Sequence, residues 1–240
     1  MENNYPGKIL TDAGEFLIEY VDAAKRTSSV RIRDGKVVLR LSRYARGRDR
    51  DEIVAKFLKW AVKKLKGAQG AIFKFPNYED GARLCVHNKV YELSIVREDR
   101  KNVGFAFREG VLLEVKLPLV GDFSSKIRGL VEKCMMEDQL GYLEEVLEEL
   151  NSLYFRNDYQ CAGFRRYKSR FGSCTRDGRI SIAYRLLFAP REVFRYVCIH
   201  ELAHLIEFNH SQDFWKIVEG ACPDYKIQNK WLRDKGFMLG

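Results

Sequence analysis

The sequence predicts an α+β fold, β-rich through residues 1–120 and helical through residues 121–240. Three observations carry this division. Stretches that alternate apolar and polar side chains around turn-forming pairs recur between Ser29 and Leu117. From Ser124 the apolar positions change to the three-to-four spacing of a helix. A further helical stretch follows Pro190 and leads into a segment that holds three of the chain's four histidines.

The elements follow in order. Ser29 to Arg33 and Lys36 to Leu41 flank Asp34-Gly35, a dipeptide that tolerates the positive φ angles of a two-residue hairpin. Asp49 to Lys66 places Ile53, Phe57, Leu58, Trp60, Ala61 and Leu65 at helical spacing before Gly67 and Gly70, which predicts a surface-docked helix. Two more hairpins are expected, Leu84 to Val96 turning at His87-Asn88, and Val103 to Leu117 turning at Glu109-Gly110. Pro118 and Gly121-Asp122 mark the proposed boundary between the two regions. Beyond it, Ser124 to about Phe155 predicts one long helix, apolar from Ile127 to Leu150 on one side, with Glu144, Glu145, Glu148 and Glu149 facing solvent. Gly178 to Leu186 reads as a strand after a turn at Arg176-Asp177-Gly178. No internal repeat or low-complexity segment is evident.

With 240 residues and 46% hydrophobic composition, the chain can bury a substantial core in one large domain or two small ones. No apolar run approaches the roughly 18 residues of a membrane span. The start, Met1-Glu2-Asn3-Asn4-Tyr5, lacks the basic-then-apolar order of a secretory signal, so a cytoplasmic location is expected. Six cysteines form no CxxC pair, which fits reduced, mostly buried thiols and neither disulfides nor a cysteine-held metal. The formal charge of +9 is unevenly placed: residues 22 to 74 hold sixteen Lys/Arg against five Asp/Glu. That basic stretch is either a solvated face or a surface for nucleic-acid phosphates or an acidic protein.

The histidine cluster carries the chemistry. His200-Glu201-Leu202-Ala203-His204 arises by chance on the order of once in a few hundred such chains. Residues four apart share one helix face, so His200 and His204 can offer two imidazole nitrogens to one ion. Glu201 is offset by roughly 100°, which suits a carboxylate that stays off the metal and takes a proton from water bound there. The helix itself is expected from Pro190, with Val193, Phe194, Val197, Cys198 and Leu202 as its apolar face. His210 is the expected third ligand, provided that the chain leaves the helix first; Asn209 in a left-handed conformation would end it. Ser211 then caps a second helix with Asp213 in its first turn, Phe214, Trp215 and Val218 buried, and Pro223 at its end. Three histidines leave a fourth position for water, whereas structural zinc is usually closed by a further protein ligand. His87 stands alone and reads as a hairpin residue. Cys174 as a nucleophile is disfavoured, since the nearby histidines are better explained as ligands.

Several motifs in one order carry a resemblance: Ser169-Arg170-Phe171-Gly172-Ser173-Cys174, Gly178-Arg179-Ile180-Ser181, His200 to Leu205, Asn209-His210-Ser211 with Phe214-Trp215, and Pro223-Asp224-Tyr225. The chain resembles the YgjP-like metallopeptidase family, relatives of the SprT and WLM zinc proteases. The likeness is densest over residues 165 to 235 and looser over residues 20 to 120, through the segment Ser28 to Leu41. It implies a zincin-like helical metallopeptidase core with a short edge sheet, one zinc ion on His200, His204 and His210, and Glu201 as general base. One departure is Phe171, where tryptophan is usual; it bears on packing. Metzincins also space a third histidine six residues on, but with glycine midway, where this chain has Glu207, and with a methionine turn, whereas the only later methionine is Met238.

The expected activity is hydrolysis of a peptide bond in a protein or peptide substrate. Arg170, Ser173 and Tyr225 are candidates for substrate binding or oxyanion stabilisation, Arg170 and Ser173 being equally explained by a tight turn. The resemblance also suggests that the segment from Arg165 to Leu187 supplies an edge strand for an extended substrate. Two other classes stay open: a nucleic-acid-associated protein whose zinc site acts only on DNA-bound proteins, and a zinc-stabilised interaction module without turnover. Mn or Co suit the same three ligands as zinc.

Overall fold

A computed structural model describes residues 5–11, 14–33, 36–66, 78–108 and 110–239. Strands β1 (Lys8–Thr11), β2 (Gly14–Ala23), β3 (Ser29–Arg33) and β4 (Lys36–Ser42) form a sheet in the order β1-β2-β4-β3. The β3–β4 pairing is the expected antiparallel one, with Ile32 opposite Val37, while Asp34 and Gly35 lie outside the described residues, as do Gly67 and Gly70. Alternation along β4 buries Val37, Leu39 and Leu41 and leaves Lys36 and Arg40 exposed. The buried three pack with Val54, Ala61 and Leu65 of helix α1 (Gly47–Lys66), each large side chain contributing about 1.5–3 kcal/mol.

The next segment repeats this plan. Strands β5 (Arg83–Cys85), β6 (Val90–Glu98), β7 (Gly104–Arg108) and β8 (Leu112–Pro118) stand in the order β5-β6-β8-β7. In both sheets the outer pairs are antiparallel and the central pair, β2–β4 or β6–β8, is parallel. A helix follows each. Helix α2 (Ser124–Asp138) sets Ile127, Val131, Cys134 and Met135 on Leu84, Tyr91, Leu93, Leu113, Val115 and Leu117. Four strands and a helix thus recur with one topology, although the sequence carries no evident repeat. What recurs is the order and sense of strand pairing, a long-range property that needs no residue identity.

The single long helix expected from Ser124 to Phe155 is instead broken at Gln139 into α2 and α3 (Leu140–Leu150), and a π-helical turn, Asn151–Phe155, ends it. Gln139, at φ −90° and ψ 3°, is buried at 2% exposure, and its Nε2 donates to the Tyr91 hydroxyl, 2.8 Å away. Tyr91 also donates to Asp138, which pairs with Lys89. Arg156 closes the segment in the left-handed region, with φ 55°. Glu144, Glu145, Glu148 and Glu149 are exposed on α3, and Glu149 accepts from both terminal guanidinium nitrogens of Arg195, Nη1 and Nη2, at 2.8 Å.

A third sheet has β9 (Cys161–Arg165), β10 (Gly172–Cys174) and β11 (Arg179–Ala183) in the order β10-β11-β9. The turn into β11 needs Gly178, whose φ is 77°. The strand that alternates best in the sequence, β11, is central, so among the described residues β9 and β10 are the outer strands of this sheet. Against β10 and β11 packs helix α4 (Arg191–Ala203), backed by α3 and followed by α5 (Gln212–Ala221) and α6 (Tyr225–Lys235).

The architecture is thus mixed α+β, with six α-helices and three small sheets among the described residues. It gathers into two compact units, Met1–Phe75 with Lys230–Gly240, and Pro76–Asn229; residue 120 falls inside the second. Of the cysteines, Cys134 and Cys198 are buried, Cys174 and Cys222 half-buried, and Cys85 and Cys161 exposed, so fewer are buried than expected. Among the described residues no helix is long and apolar enough to cross a membrane.

Candidate metal centre

Helix α4 begins after Pro190, whose carbonyl accepts from the amides of Val193 and Phe194. Its apolar face, Val193, Phe194, Val197, Cys198 and Leu202, is buried as its spacing requires. The helix ends sooner than expected. His204 is already its C-cap, and the next residues unwind through turns in which Leu205 bonds back to Leu202 and Ile206 to Ala203. Asn209 has no positive φ. Its amide instead meets the Glu207 carboxylate at 3.0 Å, and its carbonyl accepts from Ser211 at 2.7 Å. The reversal thus comes from local hydrogen bonds over 204–211 rather than from a left-handed asparagine.

Ser211 caps α5 as expected, its Oγ accepting from the Phe214 amide at 3.3 Å. Phe214 and Val218 are buried; Trp215 is half-buried with its ring stacked on Tyr225, 5.2 Å between centroids.

This path brings His200, His204 and His210 together, with one nitrogen from each lying within 4.8 Å of the others. His200 Nε2 and His210 Nε2 are 3.0 Å apart. Two nitrogens sharing a tetrahedral zinc stand roughly 3.3 Å apart, given bonds of about 2.0–2.1 Å. Residue chemistry fits as well. His204 Nδ1 lies 3.1 Å from the Glu207 carbonyl, an arrangement in which Nδ1–H donates and the Nε2 lone pair is left for an ion. Burial holds the His200 ring down to about 3, helped by His204 and His210, and burial also lowers His204. Beneath the three rings lies Phe214, with centroids 4.9, 4.6 and 4.8 Å from His200, His204 and His210. The sequence marked Phe214 only as an apolar helix residue; its place four after His210 was the sole hint of this platform.

Glu201 is 4% exposed, and burial pushes its carboxyl up to about 8 against the pull of Arg170. Its side chain lies against β10, next to Gly172. Arg170 is exposed, with its guanidinium 5.4 Å above the Tyr167 ring. The Ser173 hydroxyl is hydrogen-bonded to Tyr167 at 2.6 Å, a partner unforeseen from sequence. Tyr225 is buried against Trp215. Burial, then Glu201, raises the Cys174 thiol to about 11, unsuited to a nucleophile. His87 sits apart in the β5–β6 turn, its Nε2 2.8 Å from the Ala189 carbonyl.

Three convergent imidazoles define the class of site: a centre able to hold a metal ion. The chain belongs to the YgjP-like metallopeptidase domain family, whose model matches residues 26–235. Among solved structures it is similar to the metallopeptidase zymogen abylysin of Pyrococcus abyssi, with 25% identity, 39% of this chain and 95% of that one covered, and a TM-score of 0.36. It is also similar to the zymogen jannalysin of Methanocaldococcus jannaschii, with 15% identity, 37% and 93% covered, and a TM-score of 0.31. At such TM-scores the family match carries the assignment. No curated protein matches. Metal-dependent proteolysis is the activity that this membership supports.

Proposed function

We propose that the second unit hydrolyses peptide bonds through a zincin-like core in which His200, His204 and His210 hold one zinc ion and Glu201 is the general base. The observation that carries this reading is the convergence of the three imidazoles, with the buried carboxyl of Glu201 following His200 on helix α4. When bound, zinc supplies Lewis acidity, making a water more acidic and a carbonyl more electrophilic. Glu201 takes the proton from the attacking water and holds it at its carboxylate until the leaving amine accepts it. His204 is kept in one tautomer by the Glu207 carbonyl, and Phe214 fixes the tilt of all three rings. The substrate main chain pairs with β10, the sheet edge beside α4. Arg170, an exposed cation near Glu201, meets the charge that develops on the substrate oxygen. Ser173 supports the turn through Tyr167, and Tyr225 supports Trp215, which makes both weaker candidates for that contact.

Glu201→Gln is expected to retain zinc and lose on the order of 10²–10⁴ in turnover, whereas His204→Ala loses both. Cleavage by Glu201→Gln at the parental rate would remove the base assignment. Incubation with unstructured proteins, with and without chelator, separates the hydrolase from a non-catalytic zinc-stabilised module.

A second reading rests on the first unit, where Lys25, Arg26, Arg31, Arg40, Arg43, Arg46, Lys56, Lys59, Lys63 and Lys66 are all exposed. Under it, this surface holds nucleic acid and the zinc site acts on proteins bound there. Binding of duplex DNA should weaken steeply between 50 and 200 mM salt, by roughly 10³-fold or more if six or more phosphates are neutralised. No binding at low salt sinks it.

A further inference from the structure

We propose that Gly172 is a positioning residue for the reaction: the bare main chain of β10 presses on the Glu201 carboxylate and sets its direction. The inference rests on the reading of Glu201 as base. A Cβ at position 172 would stand 2.3 Å from Glu201 Oε1, 2.7 Å from Cδ and 2.8 Å from Cγ. Gly172 is not among the positive-φ glycines, so its backbone would accept any residue. Lack of room, not conformation, is what demands glycine here. Gly178, by contrast, is held to glycine by its φ of 77°.

Neither backbone can easily yield. Gly172 is paired with the fully buried Ile182 across the β10–β11 ladder. The chain just before it is tied down twice: the Ala183 amide donates to the Phe171 carbonyl at 2.7 Å, and Arg185 Nη2 donates to the Arg170 carbonyl at 3.2 Å. The Arg185 guanidinium also lies 4.8 Å over the Phe171 ring. On the other side, Cys198 and Leu202 hold α4 in the core at 0% exposure. The movable part is the Glu201 side chain. Restoring an ordinary contact of 3.4 Å from 2.3 Å displaces the carboxylate by about 1 Å. A misplacement of that size costs a reaction roughly 10²-fold. Ser173 turns the opposite way, to Tyr167, so alternation along β10 leaves Gly172 and Cys174 as the strand's face toward Glu201.

The test compares the parent, Gly172→Ala, Glu201→Ala and the double variant in four measurements: zinc content, Tm, kcat and KM. Gly172→Ala is expected to keep full zinc and a KM within about twofold of the parent's, while kcat falls about 10²-fold. In the Glu201→Ala background, where the carboxylate is gone, Gly172→Ala should raise Tm by about 1–3 °C, as alanine does in a compatible strand. In the parent it should give no such gain. Parental kcat in Gly172→Ala, or the same Tm change in both backgrounds, overturns the proposal. Should Glu201→Ala itself turn over at the parental rate, the base assignment fails instead, and the Tm comparison still decides whether the two residues press on each other.

Discussion

Phe214→Ala separates a packing residue from one that also orients the histidines. The ring is 0% exposed and lies 4.6–4.9 Å from all three imidazoles, with Trp215 at 5.1 Å. Removing a fully buried phenylalanine leaves a cavity and costs about 3–5 kcal/mol. For a domain of this size that is a Tm drop of roughly 6–20 °C. The same change frees three rings that otherwise share one wall. Groups that orient metal-binding histidines are worth about 10–100-fold in affinity, so zinc should bind more weakly by that factor well below the new Tm. Urea unfolding gives the first quantity, and competition with a zinc chelator the second. A variant that loses the stability yet binds zinc with parental affinity refutes the orienting role and leaves Phe214 as core alone.

Two further outcomes test the surroundings. Glu132 has a 5% exposed side chain that accepts from Arg128 at 2.7 Å and Arg166 at 2.9 Å, and from the hydroxyls of Tyr78 and Tyr184. Glu132→Leu should cost about 3 kcal/mol in urea unfolding, the low end for a broken buried pair because both arginines keep some solvent contact; a loss under about 1 kcal/mol contradicts this. His87 is held below the usual histidine range by burial, its Ala189 bond and Glu192 raising it and Arg191 lowering it. With its folded value depressed, the unfolded chain binds the extra proton, so this contribution is whole above about pH 6.5 and is lost as pH falls below it. Unfolding free energies at pH 7.5 and 5.5 should differ more in the parent than in His87→Gln; equal differences exclude His87 as the cause.

Periodicity alone located the hairpins about His87-Asn88 and Glu109-Gly110 (Glu109 itself lying outside the described residues), the body of α1, the apolar face of α4 and the Ser211 cap, because each depends on residues within one or two turns of each other. The spacing of His200, Glu201 and His204 likewise fixed which groups share a helix end. Distant contacts left no such mark. Gln139, where one helix was expected to continue, separates α2 from α3, and its side chain bonds Tyr91, a partner far off in sequence. The parallel β2–β4 and β6–β8 pairs, and with them the repeated topology, join strands that are not neighbours in the chain.

For this protein, then, the sequence by itself determined the candidate ligands His200 and His204, the carboxylate of Glu201 and the helix that carries them as far as its C-cap. Tertiary structure decided how the third histidine returns, through hydrogen bonds over 204–211, and which strand lies on the carboxylate. It also decided that Phe214 would floor the site. The physical reason is one of range. Helical spacing and caps are set by neighbouring residues, whereas strand order, close approach and shared walls appear only when separate segments compete for the same space.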